Sequence, residues 1–279
     1  MREARYYIAD GGVVSCELCP HRCQIKDGSV GVCKVRRNIG SKLFAESYGQ
    51  LSSIAFDPIE KKPLRRFHPG SRILSVGSYG CNMRCSFCQN HLISQSKPKT
   101  EHYTPEKLLG LALSTHRNLG VAFTYNEPLI GFEYLLDCAK LLKSENLKVV
   151  VVTNGLISKQ PLEELLPLVD AFNIDVKAFS PGFYARHGGD LETVRRNVKR
   201  AAESAHVEVT ALIIPGQNDS EEEMSALSEW LAGVSPELPL HITRFFPRYK
   251  LTDAPPTPTD TIYRLADIAR RRLKFVCGR

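Results

Sequence analysis

Arg72-Ile73-Leu74-Ser75-Val76-Gly77-Ser78-Tyr79-Gly80-Cys81-Asn82-Met83-Arg84-Cys85-Ser86-Phe87-Cys88 is an apolar run that leads into a glycine-containing loop with three cysteines, spaced C-x₃-C-x₂-C. The apolar part reads as a short buried strand and the rest as its loop. Three thiolates on one loop can hold three irons of a [4Fe–4S] cluster and leave the fourth iron open to a chelating ligand; the bacterial ferredoxin run C-x₂-C-x₂-C is spaced differently. A structural zinc loop is the other reading, although zinc sites more often pair C-x₂-C with a second pair downstream.

After this strand the pattern alternates. Strands are expected at Arg72–Gly77, Val121–Tyr125, Lys148–Thr153, Ala171–Val176, Val207–Ile214 and Leu240–Phe245. Helical patterns lie between them at Pro105–Arg117, Leu129–Ser144, Gln160–Leu168, Leu191–Ser204 and Ser220–Leu231, with a last one at Thr259–Arg272. Thr104 before Pro105, and Asp219-Ser220 before Glu221-Glu222-Glu223, are helix starts. Strands followed by helices of this length imply right-handed βαβ units and a parallel sheet. Six units are fewer than the eight of a complete barrel, and periodicity alone equally allows an open doubly wound sheet. No strand is followed by a glycine-rich dinucleotide fingerprint, which argues against a nicotinamide enzyme.

Upstream of the triplet, Cys16, Cys19, Cys23 and Cys33 form C-x₂-C-x₃-C-x₉-C, with His21 inside. Four thiols in a loop-rich segment with few core residues suit a metal site that orders it, either zinc or a second iron–sulfur cluster. Residues 1–70 are accordingly read as a Cys-rich N-terminal extension and residues 71–279 as the core.

The 279 residues carry a net charge of +7. The basic residues are scattered, so they read as solvated helix faces and a nucleic-acid substrate is not expected. No run approaches eighteen consecutive apolar residues, and the N-terminus lacks a long apolar secretion segment. A cytoplasmic chain is expected, in which nine cysteines serve metal or redox chemistry rather than disulfides.

In parallel α/β barrels the carboxyl ends of the strands carry the chemistry. There this chain places Glu127, within Thr124-Tyr125-Asn126-Glu127-Pro128, where a carboxylate can accept a hydrogen bond from an ammonium. Asn154 follows the third strand. Asp175 and Lys177 end the fourth and share one side of an extended chain, as a pocket pair or a plain ion pair. His241 is a lone strand histidine, by default a satisfied core residue. Arg244 and Arg248 are candidates for an anionic substrate group or ordinary rim charges.

The triplet, with Phe87 just before its last cysteine, resembles the radical S-adenosylmethionine (radical SAM) enzymes. Leu18-Cys19-Pro20-His21-Arg22-Cys23, Gly31-Val32-Cys33-Lys34-Val35-Arg36, Tyr125-Asn126-Glu127-Pro128 and Phe246-Pro247-Arg248-Tyr249-Lys250-Leu251-Thr252-Asp253 resemble the radical SAM member of the AmmeMemoRadiSam system, a relative of the pyruvate formate-lyase activating enzymes. The resemblance implies a partial (β/α)₆ TIM-like barrel. It also implies that Cys81, Cys85 and Cys88 hold a [4Fe–4S] cluster whose open iron is chelated by S-adenosylmethionine, and that one electron cleaves the sulfonium to a 5′-deoxyadenosyl radical that abstracts hydrogen. Glu127 takes the place of the carboxylate in a G-G-E-P motif that binds the cofactor's amino group, with Tyr125 and Asn126 where the family has glycines. The resemblance counts Phe87, Asn126, Asn154, Asp175 and Lys177 as cofactor-binding, sets Ile213 near the adenine, and gives His241 a ribose or substrate contact. The activases carry an Asp where this chain has Val152. Implied partners are a reductant such as flavodoxin or ferredoxin, and Memo-like and AMMECR1-like proteins. The substrate stays open: an activase would make a glycyl radical on a partner protein, whereas a modifying enzyme would act on a small molecule, a peptide or RNA. An iron–sulfur electron carrier and a zinc-stabilised interaction module are the rival classes, and both leave the βα units without a role.

Overall fold

Lys148–Thr153, with four valines in succession, has no polar face to show to water, so it forms a strand only where both faces are covered. In the computed structural model, which describes residues 1–278, this run lies inside an eight-stranded sheet whose strands follow one another in space as they do in the chain. They are β1 (Ser53–Pro58), β2 (Arg72–Gly77), β3 (Asn118–Phe123), β4 (Lys148–Thr153), β5 (Ala171–Asp175), β6 (His206–Ile213), β7 (Leu240–Arg244) and β8 (Val276–Gly278). β1 pairs antiparallel with β2, and every later neighbour pair is parallel. The first and last strands are not neighbours, so the sheet is an open, partial barrel.

The connecting helices are α1 (Pro105–Ser114), α2 (Phe132–Ser144), α3 (Lys159–Leu165), α4 (Leu191–Ala202), α5 (Glu221–Val234) and α6 (Thr259–Arg270). The expected starts hold: Thr104 and Ser220 accept from the backbone N–H three residues on, and Asp190 does the same for α4. Two strands of this sheet lie outside the alternating pattern expected from Arg72 onward. β8 is only three residues long and finds its register against β7, not in its own pattern. β1 is an antiparallel edge outside the βα alternation.

Side chains of one strand alternate between two packings. Val149 and Val151 join the large cluster formed with the helices, whereas Val150 turns inward with Ile73, Ala122 and Ala171. Ile59 and Leu64, from the segment between β1 and β2, complete that inner cluster and close one end of the barrel. Glu208 on β6, fully buried, anchors the segment by accepting from the Arg65 and Arg66 N–H groups (3.0 and 2.7 Å).

The N-terminal extension forms two small antiparallel sheets: Tyr7–Asp10, Val13–Cys16 and Gln24–Lys26; and Arg2–Glu3, Lys42–Ala45 and Arg36–Ile39. The expectation of few core residues there is corrected. Val14, Leu18, Ile25 and Leu43 are buried in the same cluster as the barrel helices. Arg36 and Glu133 of α2, 1 % and 3 % exposed, pair across this junction through two hydrogen bonds of 3.1 and 3.0 Å.

Candidate functional site

The carboxyl ends of β2, β3, β4 and β5 surround one cavity of about 410 Å³. The loop after β2 brings Cys81, Cys85 and Cys88 to its wall, along with Phe87. Gly80, just before the triplet, has φ +84°, and a Cβ there would lie 2.6 Å from the Cys33 carbonyl oxygen, so only glycine lets this loop pass the extension. Burial pushes the Cys81 thiol well up, and the Glu127 charge adds to this. Cys85 is pushed up to about 11, again by burial, with the Lys177 ammonium pulling the other way. Thiols held neutral in an apolar wall are unfavourable as free thiolates and become thiolates when metal supplies the positive charge.

Glu127 follows β3 and is 3 % exposed. Its Oε1 accepts from Leu129 N (2.9 Å) and Thr153 Oγ1 (2.7 Å), and its Oε2 accepts from Asn154 N (2.8 Å). Burial pushes its pKa up to about 7 against these three donors. A carboxylate has about four lone-pair sites, so one acceptor position remains for a donor in the cavity. Tyr125, at the place of a family glycine, has φ +72°, the left-handed conformation a glycine would adopt without cost. Asn126 ties its loop to the cysteine loop: its Oδ1 accepts from Ser78 N (2.9 Å), and its Nδ2 donates to the Gly80 carbonyl (3.1 Å).

Asn154 Nδ2 donates to Asn82 Oδ1 (2.9 Å) and reaches Cys81 Sγ (3.6 Å). Asp175 and Lys177 form an ion pair at 2.8 Å on the same cavity. Burial pulls the Lys177 ammonium down, but Asp175 and the Cys85 sulfur outweigh it, and its pKa is raised. Arg244 also lines the cavity.

Two expected residues lie elsewhere. His241 is buried, and its Nε2 bonds Glu208 Oε2 at 2.6 Å, so it belongs to the closed end of the barrel rather than to the cavity. Ile213 lines a separate small cavity with Val176 and Met224. Two residues at or beside the site were not singled out from sequence, Lys62 and Asn82. Lys62, 2 % exposed, reaches Asp57 Oδ2 (2.9 Å) and Tyr125 OH (3.4 Å), and it lines the cavity with Tyr125. Lys61-Lys62-Pro63 carries only a breaker signal, so nothing local announces that burial. Asn82, inside the triplet, links Asn154 to His21: His21 Nε2 donates to its carbonyl at 2.7 Å.

Among the described residues no three His, Cys, Asp or Glu side chains converge on a single metal ion. Three thiols spread along one cavity wall suit a polynuclear cluster, whose thiolates sit on different irons, and the donor set fits a [4Fe–4S] cluster with one open iron.

An α/β partial barrel with three cysteines after its first parallel strand defines a class, and sequence comparison agrees. The family model of the radical SAM superfamily matches residues 75–227, and the chain belongs to that superfamily. It is a radical SAM enzyme, and membership implies a [4Fe–4S] cluster and S-adenosylmethionine as cofactors. An uncharacterized protein of Methanocaldococcus jannaschii is 39% identical over 99% of this chain and 84% of its own length. A pyruvate formate-lyase-activating enzyme of Clostridium pasteurianum is 28% identical over 60% of this chain and 71% of its own. Among solved structures, a radical SAM methyltransferase from Sphaerobacter thermophilus superposes with a TM-score of 0.56 at 16% identity, covering 76% of this chain and 67% of that one, a likeness of fold. No helix among the described residues is long and apolar enough to cross a membrane.

Proposed function

We propose that Cys81, Cys85 and Cys88 hold the [4Fe–4S] cluster, and that the cavity beside them binds S-adenosylmethionine for hydrogen abstraction from a substrate. The observation that carries this reading is the meeting of three thiols, a carboxylate with a spare acceptor position and a half-buried ion pair on one cavity. When bound, the cluster supplies the electron that splits the cofactor's sulfonium, freeing a 5′-deoxyadenosyl group to take a hydrogen atom. Glu127 receives the amino group of S-adenosylmethionine, held in place by Leu129, Thr153 and Asn154. Lys177, kept charged by Asp175, faces the carboxylate of the cofactor. Asn126 fixes the glutamate loop against the cysteine loop, so the two ends of the methionine moiety meet a preset spacing. Phe87 packs on Phe183 and His187 and keeps that wall apolar.

The relative named as an activating enzyme favours a second reading, in which the substrate is a glycyl-radical protein and a flavodoxin or ferredoxin delivers the electron in the cytoplasm. Memo-like and AMMECR1-like proteins remain proposed partners on sequence resemblance. Cys16, Cys19, Cys23 and Cys33 are proposed to hold a second metal centre, zinc or iron–sulfur; all four line one small cavity. Anaerobic reconstitution with iron and sulfide, reduction, and measurement of 5′-deoxyadenosine formed from S-adenosylmethionine tests the main reading. Formation in the wild type and none in the Cys81→Ala/Cys85→Ala/Cys88→Ala variant is expected; equal formation in both rejects it.

A further inference from the structure

The cavity beside the cysteines has charged lining residues that the cofactor reading leaves unused. The segment between β1 and β2 contributes Lys61 and Lys62, and the end of β7 contributes Arg244. The carboxylates of the lining are Glu127 and Asp175, and both are taken. Glu127 accepts from Leu129, Thr153 and Asn154, and Asp175 accepts from Lys177. Among the described residues, Lys61, Lys62 and Arg244 therefore face the cavity without a lining carboxylate of their own.

Lys62 is buried, and its one charged partner is shared. Asp57 Oδ2 accepts from Lys62 Nζ (2.9 Å) and from Tyr125 OH (2.8 Å), while Asp57 Oδ1 pairs with Lys61 (3.3 Å). An ammonium has three donors. Lys62 spends one on Asp57 and one on the Tyr125 oxygen (3.4 Å), which leaves the third for the cavity. Burial pulls the Lys62 pKa down, Asp57 opposes this, and the Lys61 charge adds to the lowering. One carboxylate thus serves two ammonium groups, and a further anion in the cavity would stabilise the buried one.

Arg244 is an independent observation. It is half-buried, and its Nε donates to the Thr257 carbonyl (2.7 Å), which fixes the plane of the guanidinium. Its Cζ lies 5.1 Å from the centre of the Phe246 ring. Among the described residues no carboxylate pairs with it, so its terminal nitrogens keep the forked donors that carboxylate and phosphate oxygens match. Arg248 and Lys250, exposed on the loop that follows, stand outside the lining. The positive charge is set inside the cavity rather than spread over a face, which suits a small anion and not a nucleic-acid backbone.

We propose that the substrate is a small organic molecule with a carboxylate or phosphate group, which Lys62 and Arg244 hold in the cavity while Glu127 and Lys177 hold the cofactor. This rests on the cofactor reading given above. The anion anchors the molecule through charge-assisted hydrogen bonds, and the C–H to be abstracted lies on the remainder, which the anchor confines to the cavity that the cysteines line. A glycine within a protein chain brings no charge of its own to these two cations, so the glycyl-radical reading leaves them unexplained.

The test is anaerobic equilibrium dialysis of labelled inorganic phosphate and, separately, labelled succinate against the cluster-loaded full chain saturated with S-adenosylmethionine. Saturable binding of at least one of them is expected in the wild type; phosphate alone assigns a phosphate ester, and succinate alone a carboxylic acid. In Arg244→Ala and in Lys62→Met, affinity for that anion is expected to fall at least about tenfold further than affinity for S-adenosylmethionine. Arg244→Lys, which keeps the charge but not the fork, should recover part of the loss. Binding of neither anion, or equal binding in the wild type and both variants, overturns the proposal and leaves the cofactor reading standing. Equal falls for anion and cofactor assign the two cations to S-adenosylmethionine and overturn it as well. A wild type that binds no S-adenosylmethionine rejects the cofactor reading, and the anion dialysis then decides the site by itself. If Lys62→Met does not fold, Arg244→Ala, at a half-buried position, carries the comparison.

Discussion

Replacing Glu127 by Gln tests the site at the atom where binding and electrostatics meet. The carboxylate accepts three hydrogen bonds, from Leu129 N, Thr153 Oγ1 and Asn154 N. Glutamine keeps one oxygen, and its amide nitrogen must face either the Asn154 N–H or the Leu129–Thr153 pair, donor against donor. The ammonium of S-adenosylmethionine also loses a charged acceptor. A hydrogen bond to a charged group is worth about 1.5–3 kcal/mol, so the dissociation constant is expected to rise about 10–100-fold. The wild-type carboxyl titrates at about 7, raised from 4.5 by burial. Only the ionised form accepts from the ammonium, so wild-type affinity should fall roughly tenfold from pH 8 to pH 6, and the variant should lack that dependence. The same shift acts on the apoprotein. Between pH 4.5 and about 7 the folded state holds a proton that the unfolded chain releases, so stability falls as pH rises through this window, by about 3 kcal/mol in all. Isothermal titration of S-adenosylmethionine into cluster-loaded protein at both pH values is the assay. An unchanged dissociation constant in E127Q, with cluster absorbance intact, would refute the assignment.

Three further outcomes are expected. Glu133→Gln leaves Arg36 buried beside a neutral partner; losing one side of a buried pair costs about 3–5 kcal/mol, read as a lower urea midpoint, and an unchanged midpoint would show that the pair does not fasten the extension to α2. Burial pushes Glu208 up, but bonds from His206, His241 and the Arg65 and Arg66 N–H groups outweigh it and hold the pKa at about 2, against 4.5. Its stabilisation is therefore full above pH 4.5 and lost as pH falls toward 2, about 3 kcal/mol in total, and Glu208→Gln should flatten the acid limb of a stability–pH profile. Asp175→Asn removes the charge beside Lys177, and the dissociation constant for S-adenosylmethionine should rise by less than the E127Q change, since the lysine itself remains; an effect larger than that of E127Q would assign Asp175 a direct contact.

The parallel barrel was legible because its causes are local and repeated. Apolar runs of strand length alternate with helical patterns, and the caps at Thr104 and Ser220 hold where they were expected. The cysteine triplet, Glu127, Asn154, Asp175 and Lys177 were legible because each ends or follows a strand, and a parallel barrel sends all those ends to one side. Other features depended on contacts between segments far apart in the chain. Lys62 reaches the cavity because Asp57 neutralises it there and the Tyr125 hydroxyl accepts a hydrogen bond from it. His241 turns to the closed end because Glu208, on the neighbouring strand, offers an acceptor. The four cysteines of the extension are visible as a spacing, but their place against Cys81 is set by the fit of Gly80 to the Cys33 backbone and of Asn82 to His21. Residue type and spacing therefore determined the fold class and marked out the triplet, since periodicity and thiol spacing are properties of short segments. Which charges are buried, which histidine meets which acid, and which two thiol sets adjoin were decided by tertiary packing, because burial and pairing exist only once distant segments share a wall.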